Sequence, residues 1–192
     1  MKMGRIILLT LFFITNIVGC SCPDTPDYFD INGLELTVYK YDQQTDKYTA
    51  VENDLWLTMD KFYLKLNFNF HYYGSLRQFT NPYAAYALTC EDRGHRGTDE
   101  KIESLHIVTL TDFDTQHLQG DTLDNLFSVS HYGTGQKMPL SQLVADTSRI
   151  YYRDIILYME QKPGQNPIQF QIDMQLNTGE KYSVTSRNMM IR

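Results

Sequence analysis

The chain has 192 residues, with 17 basic and 23 acidic side chains, 42% hydrophobic residues, 13% aromatics and three cysteines. That profile suits one globular domain and excludes long disorder or a multispan membrane protein. A formal charge of -6 without any long basic run argues against nucleic acid as the main partner, because phosphate neutralisation needs clustered Lys and Arg.

Residues 1–20 read MKMGRIILLTLFFITNIVGC: a basic start at Lys2 and Arg5, then an almost unbroken apolar run from Ile6 to Val18. This is the layout of an export signal. The run of 13 residues is short of the roughly 20 that a stable membrane span needs. Its end, Ile17-Val18-Gly19-Cys20, resembles the lipobox of bacterial lipoproteins. The resemblance implies cleavage after Gly19, a diacylglyceryl group on the Cys20 sulfur and acylation of the new amine. An ordinary secretory signal would end in a small-x-small pattern, which Ile17-Val18-Gly19 does not supply. Acyl chains contribute about 0.8 kcal/mol per buried methylene, and two already anchor a protein stably. Removing residues 1–19 leaves 173 residues, and the loss of Lys2 and Arg5 takes the charge from -6 to -8.

With Cys20 lipidated, Cys22 and Cys90 are left as an even pair. Export puts them in an oxidising space, and a bridge closing 67 intervening residues stabilises by roughly 4 kcal/mol on the chain-entropy account. Two unpaired thiols are the alternative. Neither cysteine has a second thiol or histidine at zinc-ligand spacing.

Residues 20–30 read as the lipidated N-terminus and a polar, Pro-containing tether, and 31–192 as a single domain. From there the pattern is period two. Leu34, Leu36 and Val38 alternate with Glu35, Thr37 and Tyr39, and Phe62, Leu64, Leu66, Phe68, Phe70 and Tyr72 with Tyr63, Lys65, Asn67, Asn69 and His71. Further strands are expected at 55–59, 83–90, 105–110, 127–131 and 155–160, with 105–110 and 155–160 near-continuously apolar and so central. Ile168, Phe170, Ile172, Met174 and Leu176 alternate again, before an Asn177-Thr178-Gly179-Glu180 turn and a partner strand over 182–186. One helical turn fits 122–127 and another 140–145. The expectation is an all-β, immunoglobulin-like antiparallel β-sandwich of eight or nine strands.

The stretch AAYALTC at 84–90, the run IESLHIVTLTDFDTQHLQGDTLDNLF at 102–127 and the closing hairpin resemble the DUF5034 class of lipoproteins from Bacteroidetes. The resemblance covers most of the mature chain. It implies an envelope localisation and a fold, and it supplies no catalytic residues.

Four carboxylates, Asp112, Asp114, Asp121 and Asp124, share the loop TDFDTQHLQGDTLDN. They have the oxygen chemistry for Ca²⁺, but the spacing lacks the Gly and Glu of an EF-hand, and capping of turns explains them as well. The histidines His71, His95, His106, His117 and His131 are scattered, and neither G-x-S-x-G nor H-E-x-x-H occurs. Among the aromatics, Trp56, Tyr63, Tyr73, Tyr151 and Tyr152 fall off the apolar stripes and are candidate ligand-surface residues, with packing on a second sheet face as the alternative. Residues 91–101 read as an exposed charged connection. Together these point to a non-catalytic binding or assembly module, anchored by lipid in the outer membrane with an envelope protein or glycan as partner and no cofactor. An adhesin or fimbrial subunit is the rival, and a hydrolase without a recognisable motif the third reading.

Overall fold

The structure, a computed structural model, describes residues 25–51, 56–74, 92–131, 135–146, 148 and 150–192. Its strands are β1 (Tyr28–Asp42), β2 (Lys47–Ala50), β3 (Trp56–Leu57), β4 (Phe62–Tyr73), β5 (Ile102–Thr109), β6 (Phe127–His131), β7 (Met138–Pro139), β8 (Asp154–Met159), β9 (Phe170–Leu176), β10 (Lys181–Thr185) and β11 (Met190–Ile191). Helix is confined to α1 (Leu140–Ala145) and to 3-10 turns at Met59–Lys61 and Asp124–Leu126 among the described residues. The expected strand over 83–90 lies outside them, as do Cys20, Cys22 and Cys90.

One sheet runs β2-β1-β4-β8-β6-β7 and the other β10-β9-β5. Set aside the short additions β2 and β7, and the seven main strands in chain order pair as first-second-fifth-fourth and seventh-sixth-third. That is the constant-type immunoglobulin arrangement of a β-sandwich. The physical driver is the alternation. On β4, Phe62, Leu64, Leu66 and Phe68 are buried, and on β9 Phe170, Ile172, Met174 and Leu176, so each sheet presents one dry face to the other. β8 is buried at five of its six positions and sits between β4 and β6, as an almost continuous apolar run should.

β5 departs from that expectation. It alternates, with Ile102, Leu105 and Ile107 buried and Glu103 and His106 exposed, and it stands at a sheet edge. Its open side is covered by the following loop. Leu123 N–H donates to Ile107 C=O at 2.7 Å, Thr109 N–H to Asp121 C=O at 3.0 Å, and Ile107 N–H to Asp124 Oδ1 at 2.7 Å. With the Ile107 and Thr109 amides taken, this half of the edge is protected from pairing with another chain.

The tether is also shorter than expected, because Tyr28, Phe29 and Asp30 belong to β1 and Phe29 is 1% exposed. A bulge accounts for the difference. Ile31 pairs with Phe70 and Gly33 with Asn69, so Asn32 is an extra residue and the inward register moves from odd positions, Phe29 and Ile31, to even ones, Leu34, Leu36 and Val38. The sheets are tied beside this bulge by Tyr182, whose hydroxyl donates to Ile31 C=O at 2.7 Å.

Residues 92–101 pack closely against the domain. Gly94 N–H donates to Pro26 C=O at 2.8 Å and Arg96 N–H to Asp27 C=O at 2.9 Å, while Phe29 N–H reaches Gly97 C=O at 3.3 Å. Glycine makes this approach feasible. Gly94 and Gly97 have φ of +70° and +74°, and a Cβ on Gly97 would stand 2.4 Å from Ile150 C=O. At the opposite end of the sandwich, β3 and β11 form a short parallel pair that joins Trp56 to Met190 and Leu57 to Ile191.

Candidate functional site

The outward register of the larger sheet carries tyrosine where surface strands more often carry Lys, Thr or Glu. Tyr39 on β1 faces Tyr63 on β4, and Tyr41 faces Tyr48 on β2. Tyr39 and Tyr63 stack with centroids 5.1 Å apart and planes 14° apart, Tyr48 meets Tyr63 at 4.8 Å and Tyr41 at 5.3 Å, and Tyr158 on β8 meets Tyr63 at 6.1 Å. At strand spacings of about 4.8 Å the stripe crosses four strands, or about 15 Å. Cross-strand aromatic pairs of this kind contribute roughly 0.2–1 kcal/mol each, so the stripe partly stabilises the sheet that displays it.

Both ends of the stripe are held. The Lys137 ammonium lies 4.3 Å from the Tyr158 ring centroid and 3.1 Å from Glu160 Oε1. Hydrogen bonds from the Ser128 hydroxyl and from Lys137 hold the Glu160 carboxyl below the usual range. At the other end Tyr41 donates its hydroxyl to Asp46, and that bond is the main reason its phenol is harder to ionise than usual. Tyr48 is 44% exposed, and the other four rings are half-buried. The arrangement offers a row of amphipathic rings across four strands, suited to contact with an extended polar ligand.

Of the five aromatics expected on a ligand surface, only Tyr63 joins this stripe. Trp56 lies exposed on β3, and Tyr73 and Tyr151 stand exposed at the end where β1 begins. Tyr152 turns inward. It packs 6.1 Å from Phe68 and 4.1 Å from His131, and burial pushes its phenol well above the usual range. Tyr39, Tyr41, Tyr48 and Tyr158 were not singled out from sequence. Tyr39 and Tyr41 share a signal, the wet register of β1, whereas β2, exposed throughout, and β8, almost continuously buried, give no alternation that would mark Tyr48 or Tyr158.

The Asp-rich loop does not gather its carboxylates. Asp112 accepts from Gln119 N–H at 2.9 Å, Asp121 from Leu118 N–H at 2.7 Å, and Asp124 from Ile107 N–H at 2.7 Å with His106 Nδ1 at 2.8 Å. Asp114 is raised by burial, but hydrogen bonds from Gln116 N–H, His117 N–H and the His117 ring outweigh this and hold it below the usual carboxylate range. Among the described residues no three acidic, histidine or cysteine side chains converge on a point that would take a metal ion. Each of these carboxylates accepts from a backbone amide instead, Asp114 and Asp121 within local turns and Asp112 and Asp124 across the loop.

Behind the β1–β2 hairpin is an open cavity of about 630 Å³, lined by Lys40, Asp42, Thr49, Thr58, Lys61 and Arg192 among others. The Asp42 carboxylate accepts from Gln44 N–H and the Thr45 hydroxyl, both at 2.9 Å. Tyr41 lines this cavity as well, so the cavity adjoins that end of the stripe.

No family model matches the chain, and no curated protein or solved structure matches it either.

Proposed function

We propose that the protein is a lipoprotein of the bacterial envelope, anchored in the outer membrane through acylated Cys20, whose sandwich is a non-catalytic binding or assembly module. Its kin on this reading are the Bacteroidetes lipoproteins it resembles. The observation that carries the binding role is the tyrosine stripe on β1, β2, β4 and β8. Large rings held by each other lose little side-chain freedom when a ligand covers them, which favours affinity per ring. The partner is an envelope glycan or protein with an extended polar face. A module is favoured over a polymerising subunit because the described residues fill all seven strand positions of the constant-type sandwich, and donor-strand complementation requires a gap for a partner's strand.

Two comparisons test this. Cys20→Ser should move the protein from the membrane fraction to the soluble fraction and abolish palmitate labelling. Crosslinking in intact cells should capture a neighbour with the wild-type protein and lose it with Tyr39→Ala/Tyr63→Ala at unchanged circular dichroism. Equal capture by both proteins would refute the stripe as the binding surface.

A further inference from the structure

The end of the sandwich where β1 begins carries a second aromatic cluster, away from the stripe and of different composition. Tyr28 stacks on Tyr73 at 5.8 Å. The Arg96 guanidinium lies 5.7 Å from the Tyr28 centroid, donates to the Tyr28 hydroxyl at 3.2 Å and pairs at 3.5 Å with Asp27, which is 6% exposed. Arg153 donates to Arg93 C=O at 2.9 Å, which sets two exposed arginines on one rim. Tyr151 lies against Gly97 on the same rim and is 60% exposed, and Tyr73 is 39% exposed.

Cys20 precedes Thr25, the first described residue, by five positions. A fully extended chain gains at most about 3.6 Å per residue, so this end lies within about 18 Å of the residue that carries the lipid.

We infer that this end of the sandwich is a membrane-contacting face, with the Tyr73 and Tyr151 rings in the headgroup layer of a phospholipid bilayer and Arg93 and Arg153 on lipid phosphates. The inference rests on the reading of Cys20 as the anchor. Tyrosine suits that layer because its ring is apolar and its hydroxyl wet, and the planar guanidinium matches a phosphate in two-pronged fashion. Asp92 and Asp99 are exposed on the same segment, and Asp30 and Glu100 also stand beside Tyr73, so the face carries no excess of positive charge. Its occupant is therefore the phospholipid surface generally, recognised by rings and individual phosphates, rather than anionic lipid selected by net charge. Arg96, committed to Asp27 and Tyr28, supports the ring.

The chain has one tryptophan, Trp56, and it stands at the opposite end beside Met190. This supplies an internal control. The full lipidated protein is reconstituted in phosphatidylcholine vesicles whose acyl chains carry bromine, a short-range quencher of indole emission. The wild type reports from Trp56, and Trp56→Phe/Tyr151→Trp reports from the proposed face; Trp56→Phe/Tyr73→Trp serves as a second reporter should the first not fold. Expected is loss of emission and a blue shift at position 151 or 73, with Trp56 unaffected. Acylated protein, confirmed by mass, whose reporters at 151 and 73 are no more quenched than Trp56 overturns the contact while leaving the anchor standing. An unmodified Cys20 overturns the anchor and this inference together.

Discussion

Tyr151 and Tyr152 are adjacent in sequence and opposite in role: one ring is 60% exposed, and the other is wedged between Phe68 and His131. Tyr152→Ala should destabilise by about 3 kcal/mol, as large-to-small changes in a packed interior do, while Tyr151→Ala should stay within about 0.5 kcal/mol. Urea unfolding of the two variants checks this, and equal midpoints would refute the inward placement. Glu100 makes a different demand. It is 8% exposed and accepts Ile31 N–H at 2.7 Å and the Thr98 hydroxyl at 3.3 Å. Burial raises its carboxyl above 4.5 against those hydrogen bonds, with Asp30 and Glu180 adding to the rise. A folded-state pKa above the unfolded one means the native state holds the proton longer, so this group's contribution to stability falls as pH rises from the ordinary glutamate value through the raised one. Glu100→Gln keeps an acceptor for the Ile31 amide and should flatten that part of the stability profile. Glu100→Ala leaves the amide unsatisfied and should lose about 1–3 kcal/mol. Unfolding midpoints for the three proteins across mildly acid to neutral pH provide the measurement.

Among the elements, those legible in sequence are the ones whose face is set by their own side chains. β6 spans the same residues as read from the alternation, and the β9–β10 hairpin follows from period two and Gly179, whose φ is +99°. β2 has four exposed residues and no apolar face, so only its register with β1 makes it a strand, and no local pattern records that. The start of β1 was hidden for another reason. A single inserted residue, Asn32, shifts the phase of the pattern midway, so two halves of one strand read as a tether and a strand. In the Asp-rich loop the residue types were conspicuous, but their targets, backbone amides up to seventeen residues away, are set by tertiary packing. The loop's part in closing the β5 edge gives a test. Asp124→Ala should lower stability by about 1 kcal/mol through the lost Ile107 bond, and chelator should leave the wild-type melting transition where it is. A transition that drops with chelator would restore the metal.

At the scale of the molecule, the described residues supply seven sandwich strands and cover part of the β5 edge, which favours a domain that pairs within itself. Detergent-solubilised mature protein should accordingly sediment as a monomer and show no SDS-resistant ladder; such a ladder would favour the fimbrial reading. The architecture followed from alternation and turn chemistry, because one dry face per strand leaves few ways to pack. The candidate surface followed only in part. Tyr63 was visible as a wet-register aromatic, but the stripe exists because four strands bring their wet registers into line, and that alignment depends on pairing partners far apart in the chain.

β1 has 15 residues and runs from the end nearest Cys20 to the tyrosine stripe, about 35 Å between Tyr28 and Tyr39 at the rise of an extended strand. On the proposed reading, a pull between a lipid at Cys20 and a ligand on the stripe would be directed along this strand. Its ladder with β4, from Tyr28 opposite Tyr73 to Lys40 opposite Phe62, is loaded in shear, so the hydrogen bonds resist together instead of opening one after another. If the proposed anchor and binding surface hold, the strand that positions the surface would also be the mechanical line between the two.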